Sequence, residues 1–367
     1  MNVLDITPEV KNYDAWKLQP LEGFATVETF LRHLIGWAVL APSTHNTQPW
    51  KFMVEPHNSS VFFCLDPHWI LPASDKEGRQ AMISMGCALQ NFLRAADYYG
   101  VPCEVTYPLA REGHPEPFIT VRVGELSARI GYDSRLLDMM RERRMNRKRF
   151  DPKRKISLEI IEEIKKIADN LGLTVDIVND WITKNILAET QYKADQVVLA
   201  MDEFRNELGR FFLPNNTTEE RGMPGSTFGL DDEMSEKIHD ELLKEGAFDA
   251  YIAEAFPAGD REAFKSASLI LVISIPEDTS YFRVIAGRAL ESIALLAQEN
   301  NLGFSVHAAM TEVTFLRAAL KVRLMRSGDP AVICRLGYPL PDATIPPHSP
   351  RVSEELIEVK NQKMEGE

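Results

Sequence analysis

The chain has few cysteines, and none is arranged to bind metal or to form a disulfide framework. Cys64, Cys87, Cys103 and Cys334 stand singly, with no CxxC pair. Reduced thiols in a cytoplasmic protein are the expectation. Long apolar runs are missing too. A stretch such as LILVISI, residues 269–275, falls far short of the roughly 20 residues that span a bilayer, so no membrane partner is expected. The first residues, MNVLDITPEVKNYDAW, lack the basic and apolar regions of a secretory signal. Positive charge is also scarce. Against 54 Asp and Glu stand 41 Lys and Arg, a net −13 that disfavours general affinity for nucleic acid or anionic membrane. The chain contains no GxGxxG, Walker, HExxH or GxSxG pattern, and no acid, base and nucleophile set stands out. An enzyme built this way would take its reactive centre from a cofactor.

What is present is a globular composition, 44% hydrophobic over 367 residues, enough for one large or two ordinary domains. It also contains an internal repeat. GCALQNFLRAADYYGVPCEV, from Gly86, aligns without a gap to GRALESIALLAQENNLGFSV, from Gly287, at an offset of 201 residues. The surrounding pattern repeats in order. The first copy reads helix 27–40, strands 50–55 and 61–65, long helix 76–99, strands 104–107 and 118–123. The second reads helix 158–168, strands 173–178 and 269–275, long helix 281–300, strands 303–307 and 332–336. Ser74 to Glu77 has the form of a capping box for the first long helix, and Gly100 ends it. Gly86 and Gly287 would let the two long helices approach closely; alternatively each is only a weak point in its helix. Two tandem α/β units forming an internal pseudo-dimer, an α+β fold, are therefore predicted. They span residues 1–130 and 131–367, with a junction near 124–134 and a mostly helical insertion at about 180–262 in the second.

Three segments are candidates for chemistry. APSTHNTQPWKF, residues 41–52, packs Ser, Thr, His, Asn and Gln between Pro42 and Pro49. Such a loop can face a heteroaromatic ligand, or can simply close a helix end through Asx and Ser/Thr turns. RERRMNRKRFDPKRK, residues 141–155, has nine basic residues in fifteen. It reads as a solvated face, a nucleic-acid patch or a phosphate anchor. The acidic balance and the lack of interleaved aromatics argue against nucleic acid, and arginine suits phosphate oxygens. The proline-rich tail from Gly337 to Arg351 is either a semi-rigid arm or a disordered end.

Together these residues resemble the FMN-binding nitroreductase family. PSTHNTQPW matches the family's loop, RRMNRKRFDP its arginine segment, and NLG, LGYP and the tail arginine also fit. The Acg-type branch, with two nitroreductase-like halves in one chain, is the nearer likeness, although Met145 stands where that branch has threonine. The resemblance implies a nitroreductase-like fold and FMN held between halves. Pro42, Ser43, Thr44, His45 and Asn46 would line the flavin. Arg143, Arg144, Asn146 and Arg147 would hold phosphate or ring, and Ser349 and Arg351 would close the phosphate end. Met310 and Thr311 fall where the family's backbone amide meets flavin N5. Only the first half carries the loop and only the second the arginine run, so one FMN per chain is expected. The implied activity is hydride transfer from NAD(P)H to flavin and on to a small aromatic nitro or quinone-like acceptor. The chain would act as a monomer (an internal dimer) or a homodimer. The rival expectation is an FMN-sequestering protein whose insert segment 210–230 lies over the flavin as a lid. A third, weaker one is a nucleic-acid or partner-binding module using the basic run.

Overall fold

The computed structural model describes residues 11–23, 26–107, 118–125, 135–244, 248–324 and 328–353. Most of the expected junction, 126–134, lies outside them.

The first unit contains α1 (Val27–Ala38), β1 (Trp50–Glu55), β2 (Ser60–Leu65), α2 (Arg79–Tyr98), β3 (Cys103–Thr106) and β4 (Phe118–Val123). After it come α3 (Arg135–Glu142), α4 (Leu158–Asn170) and β5 (Thr174–Val178). The insertion follows as α5 (Trp181–Leu199), α6 (Asp202–Phe211), the two-residue strands β6 (Phe212–Leu213) and β7 (Met223–Pro224), α7 (Asp232–Leu243) and α8 (Ala250–Ser266). Then come β8 (Leu269–Ile275), α9 (Ser280–Glu299), β9 (Gly303–His307), α10 (Ala309–Glu312), α11 (Thr314–Leu324) and β10 (Asp329–Gly337). The two main sheets are antiparallel with orders β1-β2-β4-β3 and β5-β8-β10-β9. Counting strands within each unit, both orders are 1-2-4-3, so the repeat read from Gly86 and Gly287 is a repeat of topology.

The axis of that repeat is a helix crossing. A Cβ built on Gly86 would lie 2.0 Å from the carbonyl oxygen of Val284, and one on Gly287 would lie 1.9 Å from that of Ile83. Ile83 and Val284 are themselves 201 residues apart. Each residue therefore meets its partner's repeat equivalent, the reciprocal pattern of a two-fold contact. Only glycine permits this approach, so both positions are close-contact sites rather than weak points. The core is continuous across the crossing, joining Trp37, Phe52, Phe63 and Phe92 to Ile273, Ile293, Phe304 and Leu336.

Burial along the strands shows what covers each sheet. WKFMVE of β1 alternates buried and exposed, as a strand covered on one face must. LILVISI of β8 is buried at every position. Its second face lies under the insertion, where Leu187, Ala188 and Phe264 pack with Ile270, Val272 and Ile333. The capping box expected at Ser74 to Glu77 does not form. The helix starts at Arg79 after Gly78 in the left-handed region, with no side-chain cap at Gly78. Asp75 instead accepts from the backbone of Gln80 and Ala81, while Ser74 is bound to Glu207 of α6. Ser74 is drawn off because the buried Glu207 carboxylate needs donors, and the backbone of Ala73 and Ser74 with the Ser74 hydroxyl supplies three.

Gly86→Ala and Gly287→Ala should each destabilise the fold by about 3 kcal/mol or more, since backbone must move to admit the methyl group. Gly259→Ala, at an open position inside α8, should stabilise by roughly 1 kcal/mol instead. Denaturant unfolding of the three variants checks both signs; an unaffected Gly287→Ala protein would contradict the crossing.

Candidate functional site

The loop after α1 is held in a conformation that side chains disfavour. Pro42 turns the chain after Ala41. His45, Asn46 and Gln48 then take φ of 48°, 56° and 50°, three non-glycine residues in the left-handed region within four positions. Such residues cost of order 1–3 kcal/mol each and persist where the surroundings over-determine them. Here the surroundings do. Gln48 N–H donates to Ser43 Oγ at 2.9 Å, and Asn46 N–H to the Ser43 carbonyl at 3.0 Å. Asn46 Nδ2 donates to the carbonyls of Gly222 and Pro350, and its Oδ1 accepts from Arg351 at 2.6 Å. Gln48 Nε2 donates to the Glu220 carbonyl, and its Oε1 accepts from Val352 N–H. The loop thus binds the insertion to the C-terminal arm.

Around this knot lies a cleft. Its lining includes Pro42, Ser43, Thr44, His45 and Asn46 from the loop, Arg143, Arg144 and Arg147 from the basic segment, Thr311 of α10, and Ser349 and Arg351 of the arm. Four segments far apart in sequence therefore meet in one place. Met310 is not on the wall. It is fully buried among Phe150, Ile270 and Ile333, while its neighbours Ala309 and Thr311 face the cleft. Asn146 is also off the wall; its backbone N–H donates to Phe304 and its side chain accepts from Lys148 N–H.

The arginines divide into two kinds. Arg143 is buried, with Nε 3.1 Å from the Glu291 carboxylate and a guanidinium N–H donated to the Leu40 carbonyl. Arg351 donates to Asn46, Pro350, Leu40 and Ala41, and lies 4.7 Å over the Trp16 ring. The phosphate role implied for these two meets guanidinium groups whose terminal nitrogens already serve helix-end carbonyls, although Nε of each has no hydrogen-bond partner among the described residues. Arg147 differs. It stacks 4.2 Å over Phe228, and among the described residues its donors reach only Thr227 Oγ1 at 3.4 Å and the Met223 sulfur at 3.5 Å. Burial lowers its pKa to about 10, with Asp260 opposing, so it stays cationic at neutral pH. Arg144 donates from Nη1 to the Glu142 carbonyl at 2.8 Å and also has a buried Nε with no hydrogen-bond partner among the described residues. His45 Nδ1 is likewise buried without one. Burial, and then Arg147, lower the His45 pKa to about 4, so the ring is neutral near pH 7.

Sequence patterns missed several wall residues. Trp16 and His348 stack at 4.1 Å between ring centres, and both line the cleft. His307 Nδ1–H donates to Asp260 Oδ2 at 3.2 Å while its Nε2 accepts from Arg335 Nε at 2.9 Å, a set of partners that requires the neutral ring. Arg335 is fully buried. The available signal was a lone arginine inside the apolar run AVICRLG, a charge that a strand interior must pair. The insertion contributes Gln191, Asp195, Phe204, Met223, Thr227 and Phe228 to the same wall, which puts part of the expected lid segment beside the cleft.

No family model matches the chain. An uncharacterized protein of Mycobacterium tuberculosis is 24% identical over 327 residues, covering 88% of this chain and 90% of that one. A protein of that organism named "Putative NAD(P)H nitroreductase acg" is 35% identical over 75 residues, 20% of this chain and 22% of that one. Another bearing the "Putative NAD(P)H nitroreductase" name is 37% identical over 82 residues, 22% of this chain and 23% of that one. Among solved structures, a Bacteroides fragilis nitroreductase with bound FMN covers 58% of this chain and 92% of its own at 12% identity and a TM-score of 0.34. The FMN-dependent nitroreductase NfnB from Mycobacterium smegmatis, in complex with NADPH, covers 56% and 88% at 14% identity and a TM-score of 0.37. Two relatives that carry the nitroreductase name thus match about a fifth of this chain.

Asn46→Ala should cost about 2–4 kcal/mol, from three lost hydrogen bonds and a left-handed backbone without its compensation. It should also make the segment 214–222 and the arm after 345 cleavable at low protease. Urea unfolding and limited proteolysis check this. A variant as stable and resistant as the parent would show that the knot is not what holds these segments.

Proposed function

We propose that the chain is an FMN-dependent oxidoreductase of nitroreductase type, using NAD(P)H to reduce a small nitroaromatic or quinone-like acceptor. One observation carries the reading. The strained loop and the basic segment converge on a single cleft, and there Arg144, Arg147 and His45 present nitrogen atoms with weak partners or none. A buried donor left unpaired is costly, and an anionic group with a flat polar ring supplies what these atoms lack. The mycobacterial relatives named as NAD(P)H nitroreductases agree with it.

When bound, FMN would supply the two-electron chemistry, taking hydride from NAD(P)H and passing it to the acceptor. The residues would do the rest. Arg147 and Arg144 would hold the phosphate, while Ser43, Thr44, His45 and Thr311 would border the ring. Arg147, cationic and half-buried, would give a positive field where negative charge gathers. Neutral His45 would offer a hydrogen bond without adding charge. Phe204 and Phe228 of the insertion would exclude water from that side. Arg143 and Arg351 would act indirectly, by fixing the loop through Leu40, Ala41 and Asn46.

Purified protein offered FMN should turn yellow and keep the colour through gel filtration. Anaerobic NADH or NADPH should bleach it, and an added quinone should restore it. Protein that takes up no FMN would falsify the reading; flavin that stays yellow under excess NADH and NADPH would favour sequestration instead. Arg147→Ala should raise the Kd for FMN by about tenfold or more, whereas Arg351→Ala should chiefly lower stability. Titration by flavin fluorescence separates the two.

A further inference from the structure

One wall of the cleft is short of hydrogen-bond donors. Gln191 and Asp195, one turn apart on α5, are 1% and 5% exposed and both face the cleft. Gln191 Nε2 donates to Asp195 Oδ1 at 2.7 Å, which leaves Gln191 Oε1 and Asp195 Oδ2 with no donor among the described residues. On the neighbouring helices, Gln80 Nε2 of α2 donates to Glu312 Oε1 of α10 at 2.5 Å, and Gln80 Oε1 is again without a donor among the described residues. Gln80 and Glu312 line the same cleft, and α5 packs directly on α10. Three acceptor oxygens and two carboxyl groups thus meet in one place, with no lysine or arginine hydrogen-bonded to any of them among the described residues. Buried acceptors in such numbers are expected to find partners.

We propose that this wall is a subsite for a protonated amine on the ligand reduced in the cleft, with Asp195 as its counter-ion and Gln191 and Gln80 as acceptors for its remaining N–H groups. The subsite defines the substrate class for the function proposed above and rests on that reading: a small nitro or quinone-like acceptor carrying an aliphatic ammonium group. The rest of the cleft suits such a molecule. Arg144 and Arg147 serve anions, while the cation would lie against the acceptors of α2, α5 and α10. Asp260 of α8 cannot replace Asp195 in this role. His307 donates to it, and Arg147 and Arg335 add positive charge beside it, so its carboxyl stays below the usual range despite burial. Among the described residues no cation is hydrogen-bonded to Asp195. From α6, Arg205 donates to the Leu199 carbonyl and to Asp202. Burial, then Asp260, and more weakly Glu312 push the Asp195 carboxyl well above the usual range, with Gln191 opposing. An arriving ammonium ion would oppose that shift and favour the ionised carboxylate.

Binding of two matched probes to the full chain tests this by calorimetry, with and without added FMN. 4-Nitrobenzylamine and 4-nitrobenzyl alcohol differ in the ammonium group alone. At pH 7.5 the amine should bind about tenfold more tightly than the alcohol. Asp195→Asn should bring the amine to within about threefold of the alcohol and leave the alcohol unchanged. Gln191→Leu should lower amine affinity by a smaller factor, which keeps the test available should the first variant fold poorly. Equal affinities for the two probes at pH 7.5 would overturn the subsite, as would a preference that survives both substitutions. The cofactor reading is scored separately by FMN uptake. Yellow protein without amine preference sinks the subsite alone, and amine preference on protein that refuses FMN sinks the redox reading alone.

Discussion

The fold depends on the contact between two glycines. Where α2 and α9 cross, each helix presents a carbonyl to the space a methyl group would fill at Gly86 and Gly287. Everything on either side is set by that distance. The apolar faces of both units fuse into one core only because the helices touch backbone to backbone. The cleft, drawing its wall from Ser43 and Ser84 of one unit and Arg147 and Thr311 of the other, exists because the units are held in this register. A two-fold relation would give two equivalent clefts in a true dimer. In a single chain the two copies are free to diverge, and here one copy carries the strained loop while the other carries the basic segment and the insertion.

The insertion answers a packing requirement as well as a chemical one. Once β8 is apolar on both faces, something must cover the face turned away from α9, and α5 and α8 do so. Covering that face brings Gln191, Asp195, Asp260 and Phe204 to the cleft. The same insertion reaches the loop through Glu220 and Gly222, and the start of α2 through Glu207. Structural cover and cleft wall are therefore one element, and its removal would expose an apolar sheet at the same time as it opened the site.

Much of the frame was legible because its physics is local. Strong 3.6-residue periodicity marks α2 and α9, and strands 50–55, 118–123, 269–275 and 303–307 are read from sequence with the ends they have in the structure. The short α3, α10 and α11 went unread, since four to eleven residues with interrupted apolar spacing give little signal. The start of α2 was misread because the Ser74 pattern is real but serves Glu207. At the site, the motif residues converge, yet sequence cannot distinguish an arginine that meets a ligand from one that neutralises Glu291 or caps the end of α1. Nor could Gln191 and Asp195 be read, because QYKADQ looks like a solvated helix face until α8 and α10 are packed against it.

The arm has a consequence for when the site comes into being. Arg351 reaches Asn46 across 305 positions of chain, and Val352 reaches Gln48 across 304. Both sheets and both central helices can assemble from residues that precede the arm. The left-handed loop cannot gain its full set of restraints until the arm has left the ribosome. A loop made early therefore waits on a segment made about 300 residues later for its final shape, and a nascent chain halted before the arm would carry both sheets and central helices with the cleft unfinished.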